Sequence, residues 1–588
     1  MIEENNTNQP EEYNETLWKF MERGILSDNN RHAAMVYFGR RISRQTFVEQ
    51  VHVWARVIRG MGLNEGDELL LFGPSVPEFI YIMLAADMTG VTANLPNLMA
   101  SPEALDSMVG KSRVAFVFDG MEKTIRHALR REQFEHVVVI SATRSMGYPL
   151  KLIASPLNSI THFFYRHRAK YLTADAAIRR FGHYAGQLEA KHVAGKVAFV
   201  FCSSGTSNKG VANQIGMSDE AMIAMFRNAL AFNENGNPFC EGTTSYCQLP
   251  PFVCTGFFVL VLAPLYRGMT VYLDPRPNVR QFAKNILAFR PQTTLATGAS
   301  WVYLIDQIDR LIQSGQRPDL SFFRFPVMGG EGCTPQALRH INEVMEACGS
   351  TVALTSGYGL SETFSVCTVD YEPAGFNKDY SRHAVCVGAP FPGVTVGIFG
   401  EDDNELGSNQ RGEIRVKTRS LTVGYINNHE LNQTKLHGGW LHTNDLGELD
   451  SNGKLYIYGR MAQYIQAPDG EKVYLFDISN RLRDDPAVKE ALVCQLVTAN
   501  NQLVAHVVLE DTIHETETDV LCRLDRMMAT FLPAGLRIEA YRLEREHLRI
   551  NIVGKIDRHY YSHILTDYCE IRDGKLTAVT FPSGVLSC

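Results

Sequence analysis

Four stretches of this 588-residue sequence carry residue types that can handle a nucleotide. In CSSGTSNKGV (202–211), a strand-like run leads into serines, a threonine and two glycines. Such a loop can turn hydroxyls and backbone N–H groups inward around phosphate. Ser204, Gly205, Thr206 and Ser207 would form the cradle, and Lys209 would add a point charge. The spacing is not that of a Walker A sequence, and a plain Ser/Gly turn is the other reading. In VALTSGYGLSETFSV (352–366), glycines including Gly359 let Tyr358 sit on a tight bend and offer a flat ring to a base. Glu362 can ligate Mg²⁺ together with phosphate oxygens, while Ser361 also suits the cap of a helix that begins there. In GGWLHTNDLGELDSNGKLYIYGR (438–460), Asp445 can accept hydrogen bonds from both hydroxyls of a ribose, and Arg460 can reach ribose or phosphate. A turn aspartate and a surface arginine would look the same. Last, NIVGKIDR (551–558) presents Lys555 after a glycine, where a solvated surface charge is the ordinary reading.

These loops need a frame. The runs FVEQVHVWARVIRGMG, DELLLFG, PEFIYIMLAADMTG and VTANLPN alternate helical and strand-like patterns, with Gly62 and Gly90 closing the helices. AFVF and HVVVI extend the alternation, which predicts an α/β domain with a parallel or mixed sheet. From Glu413 the texture changes to alternating strands, EIRVK and KLYIYG. A short helix (477–482), strands at 491–497 and 502–509, a helix at 515–532 and a strand near 537–541 follow. The expectation is a leader over 1–13, a large domain of sheets and helices over 14–459, and a small mobile α+β domain over 460–588.

Length alone calls for more than one core, because single cores stop growing near about 250–300 residues. A net charge of −7 gives no electrostatic reason to bind nucleic acid. The twelve cysteines lack metal-finger spacing and read as reduced thiols of a cytoplasmic protein. The opening residues lack a signal peptide's basic and apolar regions. The longest uncharged stretch, 242–266, is broken by prolines and predicts a buried core segment instead of a membrane span.

Taken in order, the motifs resemble those of the AMP-forming acyl-activating superfamily: acyl-CoA synthetases, luciferases and peptide-synthetase adenylation domains. CSSGTSNKGV is similar to its phosphate loop, and FRFPVMGGEGCTPQAL (323–338) to its adenine-side segment. SGYGLSET is similar to its YGxTE motif, HTNDLGELDSNGKLYIYGR to its ribose block and VGKIDR to its catalytic-lysine motif. The resemblance implies that Ser204, Gly205, Thr206, Ser207 and Lys209 hold ATP phosphates. Gly330, Glu331, Tyr358, Gly359 and Ser361 would flank the nucleotide. Glu362 would bind Mg²⁺, Asp445 and Arg460 would hold the ribose, and Lys555 would bridge the acid and the α-phosphate. The family also turns its small domain between two half-reactions, about a hinge that falls here at Gln463.

The sequence departs from the family in places. The phosphate loop is shorter and lacks the inner glycine and the proline; Ser361 replaces a threonine and Asn444 a glycine. Gln463 stands where aspartate or lysine is usual. Val253 stands where many acyl-CoA synthetases carry a histidine beside the substrate pocket, with Gly256 nearby. The amino-group anchor of amino-acid-activating relatives is missing from that segment, which favours an acid without an amino group. Residues 137–174 contain no Asp or Glu but several Lys, Arg and aromatic residues, similar to insertions of bacterial fatty-acid–CoA ligases. That stretch, 146–172 above all, could lie on an anionic membrane surface. The expectation is an AMP-forming acyl-CoA synthetase using ATP, Mg²⁺ and coenzyme A on a carboxylic acid of the fatty-acid type. The alternatives are a ligase that loads a carrier-protein phosphopantetheine, and a degenerate nucleotide- or acyl-binding protein.

Overall fold

Two large sheets and the helices packed on them carry most of the chain in this computed structural model. It describes residues 13–27, 32–148, 150–153, 170–206, 212–232, 239–276, 278–371, 376, 378, 380, 382, 384–497, 501–511, 513–551, 553–572 and 574–581; for Ser204, Gly205 and Thr206 it describes the backbone. Ser207, Lys209, the leader before Tyr13 and the greater part of 146–172 lie outside the described residues.

The first sheet has eight strands. Thr92–Asn94, Glu68–Phe72, Val114–Phe118, His136–Ile140 and Tyr171–Thr173 run parallel in that order. The central three are buried at four of their five positions, as expected of parallel strands covered on both faces. At the other side Val197–Thr206 pairs antiparallel with Ala212–Ser218, so Ser203–Thr206 stand at the end of their strand. The helix Pro77–Met88 starts on a proline, where no N–H is needed, and every one of its residues is buried. It runs through the main core and is apolar apart from the buried Glu78 and Asp87.

The second sheet has fourteen strands. Its parallel half ends in the neighbours Thr293–Ala296, Phe325–Met328 and Thr355–Gly359. Its antiparallel half continues through Val366–Asp370, Val385–Pro390, Leu455–Arg460, Trp440–Leu449, Gly412–Thr418 and Val394–Phe399. Tyr358 lies where the two halves meet, and Asp445 and Arg460 lie on neighbouring strands of the antiparallel half. The uncharged stretch forms the strand Thr244–Cys247 and then one winding of helix over Cys254–Phe257, Phe258–Leu262 and Ala263–Tyr266. Its middle segment is a π turn that ends two residues before Pro264, which has no N–H to donate. Among the described residues no helix is long and apolar enough to cross a membrane.

A further five-stranded sheet, Val488–Gln495, Leu503–Leu509, Ala540–Glu544, Tyr568–Arg572 and Lys575–Val579, packs with the helices Leu475–Arg483 and Glu517–Phe531 around its own core. The strand expected near 537–541 falls at Ala540–Glu544, because parallel pairing with Leu503–Leu509 sets its register.

Candidate active site

Tyr358 closes the strand Thr355–Gly359, and its hydroxyl donates to Asp445 Oδ2 at 2.8 Å. Asp445 lies opposite Arg460 across neighbouring antiparallel strands, and Arg460 Nε stands 3.0 Å from the other oxygen, Oδ1. Each carboxylate oxygen keeps a second lone pair, so the pair can still accept from a diol. Burial pushes the Asp445 carboxyl up, against the Arg460 guanidinium and the Tyr358 hydroxyl, which favour its charged form. Asn444, where the family pattern has glycine, adopts φ 58°. Asparagine is one of the few other residues that tolerates this left-handed conformation, so the replacement preserves the bend. Its N–H donates to Glu413 Oε1 at 3.0 Å.

Glu362 stands in a short 3-10 turn, Ser361–Thr363. The turn folds back so tightly that a Cβ on Gly359 would come within 2.0 Å of the Ser365 carbonyl oxygen. The Thr363 hydroxyl fastens it, donating to Leu360 O at 3.0 Å. Ser361 interacts with the buried Cys254 thiol, whose ionisation burial suppresses. Glu362 Oε1 accepts from the Tyr425 hydroxyl at 2.9 Å, and its backbone carbonyl accepts from Thr422 N at 2.7 Å. Among the described residues no group of three His, Cys, Asp or Glu could hold a metal. A lone carboxylate nevertheless fits Mg²⁺, which takes one or two protein carboxylates and completes its shell with water and phosphate.

Lys555 is not a solvated surface charge. Asn551 Oδ1 accepts from the N–H groups of Val553 and Lys555, shaping the loop. Ile556 N–H donates to Glu331 Oε2 at 2.7 Å, Arg558 approaches Glu331 at 3.8 Å, and the Thr297 hydroxyl donates to the Gly554 carbonyl. The lysine stem runs over Gly330, where a Cβ would lie 3.7 Å from Lys555 Cε. Desolvation draws the Lys555 ammonium below the usual lysine range, opposed by the Glu331 carboxylate and, further off, by Asp445 and Glu362. Gly330, Glu331 and Lys555 are therefore brought together across the gap between sheets. A second clasp lies on the same side: Asp306 pairs with Lys489 and His547, each at 2.6 Å, and His547 also pairs with Glu490.

Beside these groups lies a cavity of about 450 Å³, counted with its open mouth. Phe232, Phe239, Phe258, Phe325 and Phe391 line it with valines, Ala229 and Gly357, and it contains no charged side chain. Gly357 precedes Tyr358 in the strand Thr355–Gly359, so the strand that carries Tyr358 forms part of the cavity wall. Val253, which caps the first helical segment, and Gly256, packed against Leu249, are not among the lining residues. Phe258 and Val259 at the π turn face the cavity instead. Gln463 lies just past the strand Leu455–Arg460, its N–H on the Arg460 carbonyl at 3.1 Å and its own carbonyl taking Leu475 N–H at 2.9 Å. Sequence reasoning missed Tyr425, Lys435 and the Asp306–Lys489–His547 clasp, none of which stands in a motif.

Residues 26–426 match the family of AMP-binding enzymes. The chain belongs to that family, within the superfamily of AMP-forming acyl- and aryl-CoA ligases. It is similar to the long-chain-fatty-acid–CoA ligase of Salmonella typhimurium, at 22% identity over 78% of this chain and 79% of that one. It is also similar to the 2-succinylbenzoate–CoA ligase of Bacillus velezensis, at 28% identity over 91% and 94%. The crystal structure of the anthranilate CoA ligase AuaEII in complex with anthranoyl-AMP shares the fold, with a TM-score of 0.74 at 17% identity over 94% of this chain and 98% of that one.

Proposed function

We propose that this chain is an ATP-dependent acid–CoA ligase that activates an apolar carboxylic acid, with fatty acids the first class to try. The observation that carries the reading is the convergence of Lys555, Glu362, Tyr358 and the Asp445–Arg460 pair, together with a cavity lined by five phenylalanines and by Gly357, the residue before Tyr358. A cavity without a charged group favours an uncharged hydrocarbon or aryl body and gives no anchor for an amino group.

In this reading the acid's carboxylate oxygen attacks the α-phosphorus of ATP, the bond to pyrophosphate breaks, and acyl-AMP forms. A coenzyme A thiolate then attacks the acyl carbon, and AMP leaves. Bringing an anion to a polyanion makes positioning and charge neutralisation the main tasks. Lys555 places positive charge between the acid and the α-phosphate. Asp445 and Arg460 hold the ribose, and Tyr358, Gly330 and Glu331 flank the base. Ser204, Gly205, Thr206, Ser207 and Lys209 belong to the phosphate loop. Glu362 would hold Mg²⁺, which supplies charge neutralisation at the phosphates when bound. The turn at Gln463 serves as the hinge of a small domain beginning at Arg460. The enzyme works in the cytoplasm, and the segment 146–172 touches the membrane. Support for that contact is the exposure of Tyr148, Leu150, Leu152 and Ile153 in a stretch without acidic residues.

The test is incubation of the full chain with ATP, Mg²⁺, CoA and a pool of fatty, aryl and amino acids, with products identified by mass spectrometry. Acyl-CoA and AMP from an apolar acid are expected. Acyl-AMP without thioester would move the acceptor to a carrier protein, and neither product from any acid would overturn the reading.

A further inference from the structure

Lys435 lies outside every recognised motif, at the end of the helix His429–Lys435. That helix is fixed against the site. Asn432 accepts from Tyr425 N at 2.7 Å and donates to Tyr425 O at 2.9 Å, while the Tyr425 hydroxyl holds Glu362. Immediately after Lys435 the chain enters the hairpin Leu436–His437 with Trp440–Leu449, the strand that carries Asp445. At the end of this helix the Lys435 ammonium is within electrostatic reach of the carboxylates of Glu413, Glu362 and Asp445 and of the Arg460 guanidinium. Each of those carboxylates already has a closer partner: Arg415 for Glu413, Tyr425 for Glu362, Arg460 for Asp445.

A lysine serving only to complement a helix C-terminus would project into water. This one is partly desolvated, which draws its ammonium below the usual lysine range. Its place between Glu362, assigned to the metal and phosphates, and Asp445, assigned to the ribose, is where the triphosphate must run. Arg460 is committed to Asp445, and Lys555 approaches from the opposite side over Gly330. We propose that Lys435 is a phosphate-binding residue of the nucleotide site, pairing with the triphosphate of ATP and with the pyrophosphate it releases. The inference rests on the nucleotide reading above, and it gives the short phosphate loop a cation from a different element.

Calorimetric titration of the full chain with Mg-ATP, Mg-pyrophosphate and adenosine tests this. Lys435→Ala is expected to weaken ATP and pyrophosphate by about ten- to a hundredfold, as for loss of one charge-assisted hydrogen bond, and to leave adenosine unchanged. Lys435→Arg should recover most of the loss. Lys435→Gln keeps the stem and carries the same reading if the alanine variant does not fold. Unchanged ATP affinity, or equal weakening of ATP and adenosine, would overturn the proposal. A folded wild-type chain that binds no ATP would overturn the nucleotide reading and this one with it. Wild-type ATP binding without acyl-CoA formation would touch only the choice of acid or acceptor, and the Lys435 comparison would still decide the proposal.

Discussion

Replacing Asp306 with asparagine should slow acyl-AMP formation without touching a residue near the nucleotide. Asp306 faces Lys489 and His547 across the junction between the large sheets and the small C-terminal sheet, at 2.6 Å from each. His547 also contacts Glu490 and the edge of the Tyr303 ring. Burial works against protonation of His547, but Asp306 and Glu490 overcome it and lift its pKa to about 9. From an ordinary value near 6.5 that rise corresponds to about 3 kcal/mol. It is a ceiling for docking, because Glu490 travels with His547 and accounts for part of it. A raised pKa places the sign: the contribution is complete below about pH 6.5 and is lost as pH rises through about 9. Acid-dependent exchange of labelled pyrophosphate into ATP, followed from pH 6 to 10, reads the docked state, because in the proposed mechanism only that state presents Lys555. Taking off about 2 kcal/mol would lower the docked-to-undocked ratio about thirtyfold. Exchange by the variant should be slowest relative to wild type near neutral pH, and the gap should narrow without closing as pH rises through about 9, because Lys489 stays charged beside Asp306. Titration of Lys555 is common to both and cancels in the ratio. A ratio near one, flat across the range, would refute the reasoning.

Three more outcomes follow from the geometry. Asp445→Asn should weaken AMP by about ten- to a hundredfold in a binding titration, since it removes the charge that Arg460 and a ribose diol share, while pyrophosphate binding stays within about twofold. Gly357→Ala places a Cβ at ordinary contact distance, 3.5 Å from Thr368 O and Val366 Cγ1, so it should fold normally and shorten the cavity. A panel of acids of rising length should then show KM increasing for the longest members and little changed for the shortest. Gly359→Ala, by contrast, drives a Cβ to within 2.0 Å of a backbone oxygen. It should destabilise the turn by about 2 kcal/mol or more, visible as a lower melting temperature and weaker Mg-ATP binding.

Much of this was legible in the sequence for a specific reason. Tyr358, Glu362, Asp445, Arg460 and Lys555 each have an ordinary reading on their own, and the order of the motifs along the chain is what singles them out. The parallel strands were legible because burial on both faces leaves a continuous apolar run, as in ELLLF and HVVVI. What was not legible depends on partners distant in the chain. Lys435 looks like any helix-terminal lysine until Asn432 ties its helix to Tyr425. Asp306 sits on an amphipathic helix like many surface acids, and its partners lie about 180 and 240 residues away. At the cavity the π turn presents Phe258 and Val259. Local pattern does not announce that irregularity.

The most direct measurement is acyl-AMP formation by wild type and by Lys555→Ala in the presence of ATP, Mg²⁺ and an apolar acid, with CoA withheld. The account expects wild type to accumulate the mixed anhydride. It expects the variant to lose about two to three orders of magnitude in rate while binding ATP within about twofold of wild type. Acyl-AMP formed at the wild-type rate without the lysine would contradict it.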